Sequence, residues 1–471
     1  MPVFCAQTDL PVSREEAFAW HARPGALPRL LPPFDPVRVR QSGGSIENGA
    51  RVVLAAGPLG MVELIAEHDL YEPPVRFRDR LVSSPLRRWE HVHAFEDLGG
   101  DRSRLTDRIE YELPLGAVGD LGDRLVVSQK LAAMFAYRHR VTRDDLSLHA
   151  QLAALGTTPK TVLVSGASGL VGRTLCAMLS TGGHTVHRLT RSEPDEPGEF
   201  RWKPSERAID PKALESVDAI VHLAGESIMG RWNEAKKRRI RQSRVESTRW
   251  LAELATEMPT RPALVTASAI GWYGDRGDAI QTEDAPAADD FLADVCGEWE
   301  AAAEPAREAG LRTAHVRLGI VLSPAGGALA NMLPAFKVGA GGPVGDGSQF
   351  WSWIAIDDAA GLFAWAALND AVSGPINATA PNPATSAEFA DTLGRVLNRP
   401  TFLKVPAVAA KLAFGEMAEA LLLASARVVP ERTEQTGYRF RFADLTEALR
   451  HLLGRNRSGG CESVPDEAIA D

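Results

Sequence analysis

The feature that most limits how this chain can fold is the segment from Thr161 to Gly172, which reads TVLVSGASGLVG. An apolar, β-branched run leads into three glycines spaced three residues apart, and a helix-forming stretch follows. In a strand, turn and helix unit the first glycine permits a sharp turn, the second lets a diphosphate approach the backbone, and the third lets the helix press on the sheet. The amides and dipole at the helix start then face an anion. The segment therefore predicts a dinucleotide site.

Strand-like and helix-like segments alternate after this turn. The strand-like segments are TVLVSG, HTVHRLT, DAIVHLAG, ALVTASA and TAHVRLGIVL. That alternation predicts an α/β fold with a Rossmann-type, doubly wound parallel sheet. We expect this domain over residues 161–396, a helical module packed on it over 397–452, and a polar, disordered tail over 453–471.

The front of the chain, residues 1–150, has no glycine-rich phosphate loop and reads as a separate α+β domain. A helix is expected from about Ser13 to His21, then several segments that alternate apolar and polar residues as strands do, and an amphipathic helix from about Asp120 to Leu148. Such a helix, lying across one face of an antiparallel sheet, would leave an apolar cavity between them. Residues 151–160, QLAALGTTPK, are the expected linker.

Composition limits the classes of partner. Among 471 residues, 52 basic and 61 acidic side chains give a net charge of -9 with the two signs interspersed, which disfavours a nucleic-acid partner. The apolar stretch from Ala407 to Val429 is interrupted by Lys411, Glu416 and Glu419, so we predict no stable membrane insertion. The first residues lack a basic region followed by an apolar run, and we expect a cytoplasmic protein. The sequence does not indicate an oligomeric state.

Cysteines and histidines do not form a recognisable metal pattern. His91 and His93 flank one residue and would share a strand face, where two imidazoles can bind a metal. No third ligand is apparent near them, so we predict no metal and expect both histidines to be solvated. The cysteines are scattered, which predicts neither a disulfide framework nor a zinc site and favours a reducing compartment. They are Cys5, Cys176, Cys296 and Cys461.

Two loops are expected to hold the dinucleotide through backbone groups and small side chains. The expected contacts from the first loop are Gly166, Ser168, Gly169, Leu170, Val171 and Gly172. The strand segment DAIVHLAG ends in small residues that let the adenosine half lie against the backbone. The expected contacts there are Leu223, Ala224 and Gly225.

The residues after HTVHRLT decide between NAD and NADP. Where an acidic side chain would hold a ribose diol, the chain has Thr190, Arg191 and Ser192. A guanidinium matches a 2′-phosphate with paired hydrogen bonds, whereas a carboxylate would repel it. We therefore predict NADP, with NADPH as its reduced form, as the cofactor. The alternative is that Arg191 is a solvated loop residue without this role.

Motifs along most of the chain resemble known families. From residue 160 to about 380, the motifs GASGLVG, HLAG, TASAIGWYG and WIAIDDAA resemble the extended short-chain dehydrogenase/reductase superfamily of NAD-dependent epimerases and dehydratases. SAIGWYG, DDFLADVCGEWEAAA and NATAPNP are similar to its atypical, epimerase-like subfamily, often labelled nucleoside-diphosphate-sugar epimerase. The later segment from FLKVPAVAA to LTEALRHLL resembles the DUF1731-like module of such proteins. The front domain resembles the helix-grip fold of the START-like (SRPBCC) superfamily, which implies an apolar ligand there.

The resemblance implies a catalytic apparatus that this chain keeps only in part. The superfamily uses a Ser or Thr at the end of the fifth strand with a Tyr-x-x-x-Lys pair, whose phenol exchanges a proton as hydride moves. Ser268 matches the hydroxyl, and Arg317 lies on the strand before the loop that should pass the nicotinamide. Leu292 and Cys296 occupy the positions of the pair. Tyr273, the phenol close to the strand end, is the candidate substitute acid; an aromatic that packs there with an exposed hydroxyl is the alternative.

Together these observations predict an NADP(H)-binding, epimerase-like oxidoreductase that acts on an unidentified small molecule. Ser268 and Tyr273 favour an enzyme. The missing Tyr-x-x-x-Lys pair favours a different class, a non-catalytic NADP-binding protein whose front domain senses or carries a lipid or isoprenoid-like molecule.

The sequence also supports two local expectations. Asp357 and Asp358 are expected to cap a helix, and the basic run 236–244 is expected to be a solvated helix face.

Overall fold

The computed structural model describes residues 2–35, 37–57, 61–84, 86–113 and 126–458. The chain forms two compact units, one built mainly from the first 156 residues and the other mainly from residues 157–449. The sequence-based boundaries at 150, 160, 396 and 452 stay predictions. The start of the long helix expected from residue 120, and most of the tail expected to be disordered, lie outside the described residues. No helix in the described ranges has both the length and the apolar character needed to span a bilayer.

The N-terminal unit is an antiparallel sheet with helices, which confirms the predicted α+β class. Its strands are β1 Val3–Leu10, β2 Arg38–Ser42, β3 Arg51–Ala56, β4 Val62–Glu72, β5 Arg76–Ser83, β6 Arg88–Asp97 and β7 Ser103–Glu112. They form a seven-stranded sheet in the order β1-β7-β6-β5-β4-β3-β2. The helices are α1 Arg14–Ala22, α2 Ala26–Leu30 and α3 Ser128–Ala154.

Period-two burial explains how this sheet meets the helices. Along β7, buried and partly buried residues alternate over the whole strand, so that Leu105, Asp107 and Ile109 share the inner face. The helix that follows β1 starts where the sequence predicts, because the Ser13 side chain accepts a hydrogen bond from the amide of Glu16. The inner face of the sheet therefore carries an aspartate among its apolar residues.

The inner face of β6 is also buried, which corrects the expectation for its histidines. His91 and His93 do share one face, but their exposed fractions are only 3% and 8%. Because this face is turned inward, His91 lies against Asp79 of β5 and His93 against Asp107 of β7. The expectation that both histidines are solvated is therefore wrong.

The second unit is built around a larger sheet with several short strands beside it. In chain order its strands are β8 Thr161–Ser165, β9 Thr185–Thr190, β10 Glu199–Lys203, β11 Ala208–Ile209, β12 Ala219–His222, β13 Ala263–Ala269, β14 Ile280–Gln281, β15 Thr313–Leu318, β16 Ile320–Leu322, β17 Phe350–Trp351, β18 Trp353–Ala355, β19 Gly374–Ala378, β20 Ala384–Thr385 and β21 Arg427–Val428. Its helices are α4 Leu170–Thr181, α5 Glu234–Glu257, α6 Phe291–Ala301, α7 Glu304–Glu308, α8 Gly327–Lys337, α9 Ile356–Leu368, α10 Ser386–Leu397, α11 Ala407–Phe414, α12 Glu416–Ala418, α13 Glu431–Gln435 and α14 Leu445–Leu452.

The order of the large sheet confirms the predicted Rossmann-type fold. Its eight strands run β11-β10-β9-β8-β12-β13-β15-β19. The edge strand β11 is antiparallel to its neighbour, and the other pairings are parallel. Strand order reverses at β8, which pairs with β9 on one side and β12 on the other. In such sheets ligands bind beyond the carboxyl ends of the strands at this reversal, so the loops after β8 and β12 define the candidate site.

The two aspartates at the start of α9 do not cap it as predicted. Ala355 occupies the N-cap without a side-chain bond, and both Asp357 and Asp358 are buried within the first turn. The Asp358 carboxylate instead accepts hydrogen bonds from the backbone amides of Arg441 and Phe442. It therefore links α9 to the C-terminal segment and satisfies donors that burial would leave without water.

The cysteines differ in state. Cys176 and Cys296 are free and buried, and burial raises the pKa of each thiol to about 12. Cys5 is disulfide-bonded, so the prediction of no disulfide is wrong at this position. Spacing along the chain does not report which cysteines meet in space.

A buried ion pair connects α2 and α3 in the N-terminal unit. Arg29 donates from Nε to Asp145 Oδ2 at 2.7 Å and from Nη2 to Oδ1 at 2.8 Å, and the side chains are 3% and 0% exposed. Asp145→Asn removes the carboxylate charge that balances a buried guanidinium. We expect it to lower the free energy of unfolding of this unit by about 3–5 kcal/mol.

Calorimetric unfolding of the full chain measures this effect. The matched control is Asp9→Asn, which breaks a pair with Arg104 in the same unit that is also held through Nε, but at the surface. Exposed pairs contribute little, so the control should unfold like the parent protein. Equal losses in the two variants would contradict a special role for the buried pair.

Candidate functional site

The turn after β8 brings backbone against backbone. Gly166 has a φ of +72°, in the left-handed region that favours glycine. A Cβ on this residue would lie 2.8 Å from the backbone nitrogen of Ala224 and from the carbonyl carbon of Leu223. Both conformation and space therefore exclude a side chain here, and the turn packs directly against the chain that leaves β12.

The third glycine brings α4 close to the same turn. A Cβ on Gly172 would lie 2.2 Å from the carbonyl oxygen of Gly166. Gly169 donates its amide to that oxygen at 2.9 Å and so closes the turn. Ser168 precedes the helix, and Leu170 and Val171 are its first residues. The loop thus ends in a helix N-terminus, whose first amides have no partner within the helix and can bind an anion.

A neutral histidine supports the strand ends beneath this turn. His222, the last residue of β12, is completely buried. Its Nε2 lies 2.9 Å from the hydroxyl of Ser247, and its Nδ1 contacts the hydroxyl of Ser165, directly before Gly166. Burial, and to a lesser extent the charge of Arg244, lowers the pKa of His222 to about 3. The imidazole is therefore uncharged at neutral pH and joins β8, β12 and α5 by hydrogen bonds.

Arg244 lies against the expected adenosine wall. Its guanidinium carbon would be 3.3 Å from a Cβ on Gly225, and its Nη1 donates to the carbonyl of Glu226 at 2.9 Å. It also lies 5.0 Å from the centre of the Trp299 ring. A Cβ at position 225 would therefore require the Arg244 side chain to shift by a few tenths of an ångström.

Several basic side chains of α5 form ion pairs with acidic side chains of neighbouring segments, whereas the sequence predicts a solvated helix face. These pairs are Lys236 with Glu226, Lys237 with Glu416, and Arg241 with Glu298. The expectation of a solvated face is therefore wrong for Lys236 and Lys237, whose side chains are 14% and 22% exposed, whereas the Arg241 side chain is 41% exposed and fits the expectation.

Arg191 is the residue from which the sequence predicts a 2′-phosphate contact. It follows directly after β9 and is exposed. The hydroxyls of its neighbours Thr190 and Ser192 lie 2.9 Å apart. The guanidinium is thus accessible at the carboxyl edge of the sheet.

Ser268 belongs to a buried hydrogen-bond network at the end of β13. Its hydroxyl donates to Oε1 of Glu300 at 2.7 Å. Arg317 of β15 holds the same carboxylate through Nε at 2.8 Å and Nη2 at 2.9 Å. The remaining nitrogen of Arg317, Nη1, donates to the Tyr273 hydroxyl at 3.0 Å. Arg317 also stacks on Trp272, with 3.9 Å between its guanidinium carbon and the ring centre.

Tyr273 is completely buried, so the alternative of an exposed hydroxyl is wrong. This hydroxyl accepts from Arg317 and donates to Oδ1 of Asn377 at 2.7 Å. Burial raises the pKa of Tyr273 above its usual value. To donate a proton to a substrate, the phenol would have to give up its bond to Asn377.

The positions of the missing Tyr-x-x-x-Lys pair are filled by packing residues. A Cβ on Gly271 would lie 3.1 Å from Cβ of Leu292 and 3.7 Å from Sγ of Cys296. The Cys296 thiol contacts the carbonyl of Ala269 at 3.6 Å. With its pKa raised to about 12 by burial, Cys296 cannot exchange a proton near neutral pH, and Leu292 has no proton to exchange.

Sequence reasoning missed three residues of this region, namely His222, Glu300 and Asn377. One signal was available for Glu300. Arg317 lies in an apolar strand, and a buried arginine requires a carboxylate partner. The other two have no comparable signal, because their roles depend on which strands become neighbours.

Comparisons with known proteins agree with this architecture. The pattern of the NAD dependent epimerase/dehydratase family matches residues 162–378. That of the polyketide cyclase / dehydrase and lipid transport family matches residues 10–135. A domain of unknown function, DUF1731, matches residues 405–452.

Similar proteins cover either the whole chain or its second unit. The crystal structure of the nucleoside-diphosphate sugar epimerase from Corynebacterium glutamicum is 36% identical and covers 99% of this chain and 95% of its own, with a TM-score of 0.80. The human epimerase family protein SDR39U1, solved with NADPH, is 36% identical over 62% of this chain and 99% of its own, with a TM-score of 0.57. An epimerase family protein of Mycobacterium bovis is 41% identical over 295 residues, which are 62% of this chain and 98% of the relative. The chain therefore belongs to the epimerase family represented by these proteins.

Proposed function

We propose that the second unit binds NADP(H) on the turn 166–172 and that the chain is an oxidoreductase of the epimerase family with an unidentified small-molecule substrate. The observation that carries the proposal is the left-handed Gly166, locked against the end of β12 at the reversal of strand order. That arrangement presents helix amides to a diphosphate. The human relative solved with NADPH supports the choice of ligand. A cytoplasmic location is part of the proposal.

Contacts to the cofactor are proposed from both loops. The pyrophosphate would lie over Gly166, Ser168 and Gly169, with Leu170, Val171 and Gly172 forming the first turn of the helix beneath it. The adenosine would lie along Leu223, Ala224 and Gly225. The 2′-phosphate would accept from the exposed guanidinium of Arg191, which favours NADPH over NADH.

The buried network sets the part that protein groups play in the chemistry. NADPH supplies the hydride when it is bound. Arg317 holds the hydroxyl of Tyr273, and Glu300 holds that of Ser268, so we propose that these two hydroxyls form the wall beside the nicotinamide and orient the substrate. Proton exchange by Tyr273 would need movement of Asn377.

A second candidate follows from the same burial. The hydroxyls of Ser268 and Tyr273 already have hydrogen-bond partners within the protein, which also favours a protein that binds NADP(H) without turnover. In this candidate the N-terminal unit binds an apolar, lipid-like or isoprenoid-like molecule. In that case the cofactor would act through the conformation of the chain. The two candidates differ in whether the bound cofactor exchanges a hydride with a small molecule.

The first prediction concerns the choice of nicotinamide. Calorimetric titration of the full chain should give a lower dissociation constant for NADPH than for NADH. Arg191→Ala removes charge-assisted bonds worth about 1.5–3 kcal/mol, so NADPH binding should weaken by about 10–100-fold while NADH binding is unchanged. The matched control, Arg207→Ala, changes an exposed arginine paired with Glu253 and should leave both constants unaltered. Tighter NADH than NADPH binding by the parent protein would overturn the preference.

The second prediction separates the two candidates. If the chain is an oxidoreductase, a small-molecule extract should cause loss of NADPH absorbance with the parent protein, and Tyr273→Phe should slow that loss more than it weakens NADPH binding. The control is Tyr438→Phe, another buried tyrosine of the second unit, whose hydroxyl contacts Asp358. It should retain the parent rate. Tight NADPH binding with neither NADPH consumption nor an epimerised product under any extract would instead support the non-catalytic candidate.

A further inference from the structure

The interior of the N-terminal unit concentrates ionisable side chains that the proposed function does not use. Five of the eleven histidines of the chain are buried there together with a buried aspartate and a partly buried one. They are His21, His68, His91, His93, His139, Asp107 and Asp79. Imidazole and carboxylate groups are the usual protein ligands of divalent transition metals.

Strand register brings several of these groups together. Asp79 of β5 pairs with His68 of β4 on one side and with His91 of β6 on the other. His93 pairs with Asp107 of β7. Directly paired residues of an antiparallel sheet have side chains on the same face and close to one another. The cluster is therefore built by the sheet itself.

Asp79, His91 and His93 converge on a single gap. Asp79 Oδ2 lies 3.2 Å from His91 Nδ1 and 3.6 Å from His93 Nε2. One donor atom from each residue lies within 4.8 Å of the other two. Tetrahedral zinc bonds of about 2.0–2.1 Å place ligand atoms about 3.3 Å apart. The two separations from Asp79 bracket that value.

Asp107 lies on the opposite side of the two imidazoles. Its Oδ1 is 2.9 Å from His91 Nε2 and 2.7 Å from His93 Nδ1, and its Oδ2 is 2.6 Å from His139 Nε2. A carboxylate behind the far nitrogen of a histidine is the usual outer partner of a metal ligand, because it fixes the tautomer and orients the ring. Asp107 thus occupies the position of such an orienting group.

The hydrogen bond from His91 to Asp107 decides what faces the gap. If Nε2 carries the proton donated to Asp107, Nδ1 presents a lone pair to Asp79 Oδ2, only 3.2 Å away. Two lone pairs at this distance repel each other in a buried site, whereas a cation between them would bind both. A second proton on His91 is the competing solution.

A buried nitrogen beside the cluster has no hydrogen bond in the described part of the chain. His68 Nδ1 is buried without a hydrogen-bond partner among the residues that the structure describes, and His68 is only 8% exposed. Buried polar atoms normally have a partner, and exceptions often mark an absent ion. This nitrogen belongs to the residue that pairs with Asp79 across β4 and β5.

We propose that Asp79, His91 and His93 bind a divalent transition-metal ion inside the N-terminal unit, with Asp107 as the positioning residue behind both imidazoles. The fourth ligand would be a water molecule. Two nitrogen donors and one carboxylate favour Zn²⁺ over Mg²⁺, which prefers oxygen ligands. The ion would join β5 to β6 and stabilise this unit.

The test uses the full chain without an affinity tag, after treatment with a chelator. Titration with ZnCl₂ should show one equivalent bound with micromolar or tighter affinity, while MgCl₂ should show no binding. Asp79→Asn and His93→Gln should weaken zinc binding by about 100-fold or more, and Asp107→Asn by about 10–100-fold. Zinc should raise the melting temperature most in the parent protein, less in Asp107→Asn, and least in Asp79→Asn and His93→Gln.

Two controls match the ligand variants. Asp69→Asn changes a carboxylate of the same sheet whose side chain is 18% exposed, as that of Asp79 is, but which pairs with Arg78. His21→Gln changes another buried histidine of the unit, which contacts the Ala17 carbonyl. Both should bind zinc like the parent protein.

X-ray absorption of the parent protein with one equivalent of zinc provides a readout that requires no variant. It should show at least two imidazole ligands and one oxygen ligand. No stoichiometric zinc binding, a spectrum without imidazole, or unaltered binding by folded Asp79→Asn and His93→Gln would overturn the proposal. In the first case the competing proton on His91 would explain the cluster.

Discussion

The second unit depends on one close contact between two backbones. At Gly166 the chain turns with a φ of +72° and lies so near the end of β12 that a Cβ would be 2.8 Å from backbone atoms. The contact fixes where β8 and β12 end relative to each other along the sheet. It also fixes where α4 begins, because this helix follows directly after the turn. Hydrogen bonds of the uncharged His222 to Ser165 and Ser247 support the same strand ends from beneath. The shape of the proposed cofactor site therefore depends on backbone contacts and not on charged side chains.

The polar side chains at the ends of β13 and β15 do not include the Tyr-x-x-x-Lys pair that the superfamily resemblance implies. Arg317 and Glu300 form a buried ion pair. Arg317 donates a hydrogen bond to the Tyr273 hydroxyl, and Glu300 accepts one from the Ser268 hydroxyl. Such a pair is costly to desolvate unless its remaining hydrogen bonds are satisfied, and these hydroxyls satisfy part of that need. The groups expected to exchange protons therefore also stabilise the strand ends. A substrate could use them for orientation without any change in their partners.

Local patterns in the sequence predicted the elements, and long-range pairing decided the rest. The glycine spacing and the alternation of strands and helices were sufficient for the Rossmann-type sheet, because each signal lies within a few residues. Period two correctly placed His91 and His93 on one face, but could not tell that this face is the inner one. Their partners Asp79 and Asp107 come from separate strands, so their proximity depends on register. For the same reason the sequence predicts a helix-capping role for Asp358, whereas its carboxylate binds amides more than eighty residues later in the chain.

The most direct test of the proposed cofactor site is the dissociation constant of NADPH for Gly169→Asp compared with that of the parent chain. A carboxylate at this point of the turn would lie where the pyrophosphate is proposed to bind. The backbone of Gly169 does not require a positive φ, but a Cβ there would lie 3.1 Å from the carbonyl oxygen of Gly166, so the turn must shift slightly. We expect NADPH binding by the parent and its loss in the variant, with a cooperative unfolding transition retained. Equal NADPH binding by both proteins would contradict the proposed position of the cofactor.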